Sequence, residues 1–111
     1  MTASKKKGTW WESAIAAYLM QSGWRHAERR TLNGVKDRGD ISGIPGVIIE
    51  AKNARDIRLA TWIDETEQER VNAAADVGAL WIHRPRKSLP EDGYVVVTGR
   101  QFVGLLKQAG Y

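Results

Sequence analysis

The chain has 111 residues, which suits one domain around a single core and is too short for two. Its 42% hydrophobic and 27% charged residues are ordinary globular composition, no apolar run approaches the roughly 18 residues of a membrane span, and the lack of cysteine excludes disulfide frameworks and thiolate metal sites. A net charge of +4 favours an anionic partner, because Lys and Arg that neutralise phosphates release counterions.

Residues 1–8 carry the run Lys5, Lys6, Lys7 and read as a flexible basic arm. No apolar stretch of signal-peptide length follows it, so the default location is cytoplasmic. From Thr9, "TWWESAIAAYLMQSG" predicts a helix: Thr9 is placed as an N-cap, Glu12 stands three residues on as in a capping box, and Gly23 is a stop. Trp11, Ala14, Ile15, Tyr18 and Leu19 recur at helical spacing and form its buried stripe. Trp10 and Trp11 lie roughly 100° apart on that helix, so both cannot face one core.

"WRHAERRT" from Trp24 predicts a first strand, followed by the polar loop "LNGVKDRG". Two further strands form a hairpin turned by Gly43, Pro45 and Gly46. "ARDIRLA" has no clear period. A helix is expected from Thr61, where "TWID" resembles a capping box, to about Ala75. "ALWIHR" and "YVVVTG" are strands on either side of the loop "RKSLPEDG", and "RQFVGLLKQAG" is a final helix. The order describes one α/β domain over 9–111, with a small mixed sheet of about five strands flanked by helices.

The hairpin "GDISGIPGVIIEAKN" carries the chemistry. Residues two apart in a strand share a face and lie about 6.6 Å apart, so Ile48, Glu50 and Lys52 point one way and Val47, Ile49 and Ala51 the other. Apolar residues on both faces mark a doubly covered central strand, and the charges emerge where it leaves the core. With the turn pivoting near Pro45, residues whose numbers sum to about 90 oppose one another, which sets Asp40 across from Glu50. Two opposed carboxylates repel, and a divalent cation reverses the sign of that interaction. Singly, each acid has an ordinary explanation. Glu50 and Lys52 can be an exposed ion pair, Asp40 beside Gly39 can be turn chemistry, and the capping box accounts for Glu12. His26 and His83 share no metal-site spacing and are expected to be structural. The positive residues cluster at Lys5 to Lys7, at Arg25, Arg29, Arg30, Lys36 and Arg38, and at Arg84, Arg86 and Lys87; any one cluster alone is a solvated face.

Together, "GD" at 39–40, the apolar strand, "EAK" at 50–52 and the helical Glu12 resemble the PD-(D/E)XK nuclease superfamily, with its restriction-endonuclease-like fold. The length, the basic start and the order of elements are most similar to its archaeal-type Holliday junction resolvases, including phage-borne forms. The resemblance implies that Asp40, Glu50 and Glu12, with the carbonyl of Ala51, hold Mg²⁺, with Mn²⁺ as a substitute. It implies that Lys52 orients the nucleophile or stabilises developing charge, and that Gln68 lies near the site on the following helix, where Glu65, Gln68 and Asn72 share a face. Gly39 stands where the family often has proline. Asp37 is a rival for the first acid.

The activity implied is metal-dependent hydrolysis of phosphodiesters in branched DNA by a homodimer, since paired nicks require two sites about a two-fold axis. Lys5, Lys6, Lys7, Arg29, Arg30, Lys36 and Arg38 are then the expected DNA contacts. The alternatives are another DNA endonuclease or exonuclease of the same superfamily, of repair or restriction type, and a non-catalytic DNA-binding module. The clustered carboxylates count against the last, because a phosphate binder gains nothing from them.

Overall fold

Two apolar segments, Val47–Lys52 (β3) and Val77–Ile82 (β4), pair in parallel and form the centre of the sheet in the computed structural model, which describes residues 2–30 and 38–111. Antiparallel neighbours extend it on both sides: Ile41–Ser42 (β2) and then Glu28–Arg29 (β1) beyond β3, and Tyr94–Val96 (β5) beyond β4. Among the described residues the sheet has five strands in the order β1-β2-β3-β4-β5, accompanied by helices Ala3–Gln21 (α1), Leu59–Asn72 (α2) and Gly99–Ala109 (α3). The expected α/β class and mixed sheet are both observed.

The alternation expected in β3 decides which helix covers which face. Ile49, flanked by Val47 and Ala51, packs with Trp11, Ile15, Ala16 and Leu19 of α1, and Ile41 and Trp81 complete that core. On the other face Trp62 of α2 packs against Leu80 and Ile82, with Ile63 and Val96 at its margin. The two tryptophans divide as their angular separation requires. Trp11 is fully buried and donates from Nε1 to the Trp81 carbonyl at 3.2 Å, whereas Trp10 is 46% exposed and meets the edge of His83. His83 also stands edge-on to Trp11 at 4.9 Å between ring centroids, a structural role of the kind expected for it.

Several boundaries differ from expectation. The N-terminal segment is helical: α1 starts at Ala3, with the Thr2 side chain accepting from the Lys5 amide at 3.2 Å. Lys5, Lys6 and Lys7 are therefore exposed residues of its first turns and not part of a separate arm before the helix, and Thr9 is an interior residue with no capping role. Helix propensity explains the extension, since Ala and Lys are good helix formers and Thr2 supplies the cap. Likewise α2 begins at Leu59, two residues before Thr61, and ends at Asn72, short of Ala75. The first strand shrinks to Glu28–Arg29, because Trp24 and Ala27 close turns onto Leu19 and Trp24. Its expected end at Thr31 lies outside the described residues.

The hairpin forms in the expected register, with Ile41 opposite Ile49. The Val47 amide donates to the Ile44 carbonyl at 3.1 Å across Pro45 and Gly46, and Gly46 has φ +80, so the turn is type II with each residue in its preferred place. The last helix, α3, is capped by Thr98 and closed by Gly110 in the left-handed region. It docks through a polar side chain: Gln101 accepts from the Gly78 amide at 2.8 Å and donates to Glu67. Its apolar residues Phe102, Val103 and Leu105 remain exposed.

Candidate carboxylate site at the end of the central strand

The site begins with the backbone at Gly39 and Asp40. Gly39 has φ +92, and a Cβ there would stand 3.0 Å from the Ile49 carbonyl oxygen. Proline, with φ locked near −65°, cannot take this conformation, so the glycine is a geometric requirement of how the chain enters β2. Asp40 is then held from three sides. Its amide donates to the Ile49 carbonyl at 2.8 Å, its carbonyl accepts from the Arg30 amide at 2.6 Å, and its Oδ2 accepts from the Ala51 amide at 2.8 Å. The last bond aims the carboxylate at the end of β3.

Glu50 is the buried member, with 6% of its surface exposed. Its carboxyl interacts with the side chains of Asp40 and of Glu69 on α2. Burial, which penalises the charged form, raises its pKa from the ordinary range to about 8; the bond with Asp40 and the charge of Lys52 pull it down, while Glu69 pushes it up through both a hydrogen bond and its charge. Near neutral pH the carboxyl therefore keeps its proton. Glu12 approaches Asp40 from the opposite face of the sheet. Its pKa is raised by burial and by the Asp40 charge, against a 3.1 Å bond from the Arg29 Nε. Because α1 starts at Ala3, Glu12 is well inside the helix, and the capping-box explanation for it fails.

The four acids form a chain of neighbours, Glu12 to Asp40, Asp40 to Glu50 and Glu50 to Glu69. Among the described residues no group of three or more His, Asp or Glu side chains is already drawn together as a metal cage. Main-chain oxygen adds to the acids. The Lys52 carbonyl accepts from His83 on the β4 side at 2.9 Å, so alternation along the strand turns the Ala51 carbonyl, like its amide, toward β2 and Asp40.

The remaining expected residues are distributed less tightly. Lys52 leans onto α2, with its Nζ 3.4 Å from Glu65 and 5.6 Å from the centre of the Trp62 ring. Gln68 is on the solvent side of α2 and donates to Asn72 at 3.0 Å; the side chain that α2 presents to Glu50 is Glu69, which is 5% exposed. A signal for it exists in the sequence, since Trp62, Thr66 and Glu69 lie four and seven residues apart and share a helix face. Arg29 is committed to Glu12, Arg30 has a buried Nε without a hydrogen-bond partner, and Arg38 is exposed. Lys36 and Asp37 lie outside the described residues. No family model, curated protein or solved structure matches the chain. No helix among the described residues is long and apolar enough to cross a membrane.

The burial of Glu50 has a consequence for pH. Its folded-state pKa lies above the unfolded value, so the stability linked to it is complete below about pH 4.5 and drains away as pH rises toward 8. Glu50→Gln removes this dependence. In metal-free buffer the variant is expected to match wild type near pH 4 and to melt several degrees above it at pH 8; parallel thermal unfolding across that range, giving two superimposable curves, would exclude the assignment.

Proposed function

We propose that this protein is a metal-dependent endodeoxyribonuclease with a restriction-endonuclease-like fold, acting on branched DNA as a Holliday junction resolvase. The observation that carries the reading is the adjacency of Asp40 and Glu50 at the point where the central strand leaves the core, with Glu69 behind them. Such a cluster is costly unless protons or a cation neutralise it. Hard oxygen donors are what Mg²⁺ takes, and one or two carboxylates with water and substrate phosphate suffice for it, so the residues present fit that ion, or Mn²⁺ in its place. Order of elements and the spacing from Asp40 to Lys52 support the family; the junction as substrate rests on the resemblance.

In this reading Asp40, Glu50 and the Ala51 carbonyl hold the cation, and Glu12 reaches it through Asp40. When bound, the ion supplies polarisation of the scissile phosphate and a more acidic water. Lys52 stabilises charge that develops on the phosphate. Its pair with Glu65 is partly exposed and worth under about 1 kcal/mol, so the ammonium is readily redirected when a phosphate enters. Glu69 holds Glu50 by hydrogen bonding and sustains its affinity for a proton or a cation. Paired cuts in a two-fold symmetric substrate call for a homodimer, and the outward apolar side of α3 is a surface suited to a second copy.

Incubation of labelled four-way junction, linear duplex and single strands with Mg²⁺, Mn²⁺ or Ca²⁺ tests the reading. Wild type is expected to nick the junction symmetrically with Mg²⁺ or Mn²⁺, and Glu50→Ala to lose at least about 10²-fold in rate. Equal cutting of all three substrates replaces the junction with general DNA; junction binding without cleavage under any metal removes the enzyme. Independently of activity, Mg²⁺ is expected to raise the melting temperature of wild type at pH 8 but not that of Asp40→Asn. Sedimentation is expected to give a dimer for wild type and a monomer for Phe102→Asp.

A further inference from the structure

The third basic cluster lies on the β4–β5 connection. β3 and β4 are parallel and in register from Val47 opposite Val77 to Lys52 opposite Ile82, so both leave the sheet at the same end. The His83 amide bonds the Lys52 carbonyl, and the chain then turns, with the Lys87 amide donating to the Arg84 carbonyl at 3.1 Å. Counting from Leu80, the partner of Glu50, Arg84 stands four residues further on, roughly 13 Å along the strand direction. That places the turn a few nucleotides from the carboxylates on a bound strand.

Three features mark this turn as more than a solvated face. Arg84, Pro85, Arg86, Lys87 and Tyr94 line a hollow of about 380 Å³. The Arg84 guanidinium lies over the Tyr94 ring at 5.8 Å, which orders a long side chain otherwise free to move. Arg86 has φ +65, a left-handed conformation unfavourable for any residue with a Cβ, at a position where glycine would relieve the strain. None of the three cations makes an ion pair with an acid among the described residues. Lys7 of α1 stands at the near side: its carbonyl accepts from the Asn53 side-chain Nδ2 at 3.3 Å, and burial followed by the Lys7 charge lowers the pKa of His83. The cations thus continue one basic rim beside the acids.

We propose that Arg84, Arg86 and Lys87 form a phosphate-binding site that grips the nucleic-acid backbone beside the carboxylate site. Arg84, held beside the Tyr94 ring, presents its guanidinium to one phosphate, and Arg86 and Lys87 reach its neighbours. These contacts position the strand without reading its sequence. The site rests on the nucleic-acid reading of the carboxylates, and it adds residues that act in binding alone.

The test is the salt dependence of binding to a short fluorescein-labelled DNA duplex in EDTA, where no cleavage intervenes. Arg84→Ala/Arg86→Ala/Lys87→Ala is expected to reduce the slope of log K against log salt by about 2 to 3, at roughly 0.9 per phosphate contact. Arg100→Ala/Lys107→Ala, which removes charge from α3, is expected to leave the slope as in wild type. A single variant, Arg86→Gly, separates binding from folding, since it is expected to raise the melting temperature while lowering the slope by about one. Unchanged slopes in both Arg86 variants overturn the site and leave the nuclease reading standing. Slopes reduced as expected in a protein that cuts nothing with Mg²⁺ or Mn²⁺ support the site and remove the nuclease. Binding to phosphatidylserine vesicles with none to duplex overturns the site.

Discussion

The structure turns on a buried acid. Glu50 sits on the central strand, covered by α2 and paired with Leu80 of β4, at a depth where a lone carboxylate would be strongly disfavoured. Glu69 adds negative charge beside it, while Asp40 shares a hydrogen bond with it. The fold accommodates the group by keeping a proton on it near neutral pH, and in the function proposed above a cation takes the place of that proton. Any ligand set that gains a metal in exchange for protons binds it more tightly as pH rises.

The acids meet because the sheet is covered on both faces. α1 packs on the side of Ile49 and brings Glu12; α2 packs on the side of Ile48 and brings Glu69. Asp40 reaches both neighbours because it lies beyond the last paired residue of β2, where its Oδ2 takes the Ala51 amide in place of a ladder bond. Parallel pairing of β3 with β4 has a second effect: it sends Lys52 and the Arg84–Lys87 turn out of the same end of the sheet. The acids and the basic turn therefore lie toward the same end of the sheet.

Much of this was legible in the chain itself. Alternation in Val47–Lys52 identified the two faces of β3, and the Pro45–Gly46 turn set the register that places Asp40 beside Glu50. The helical stripe of Trp11, Ile15 and Leu19 identified the face of α1 that is buried. Local capping patterns were less informative. Thr9 and Thr61 both lie inside helices, because a threonine three residues before an acid has the same short-range form whether or not the helix starts there. Gln68 and Glu69 are adjacent in sequence, and helix period separates them by about 100°; Glu69 shares its face with Trp62 and Thr66, and the packing of Trp62 on Leu80 and Ile82 turns that face inward.

Sequence by itself therefore determined the elements, their faces and the pair of acids across the hairpin, since these follow from periods of two and 3.6 residues and from turn chemistry. Tertiary structure alone decided that Glu12 is bound to Arg29, that Lys52 rests on α2, that Glu69 joins Glu50, and that α3 docks by Gln101 with its apolar side outward. These are contacts between segments far apart in the chain. Their energies depend on burial and on neighbours that no local pattern encodes.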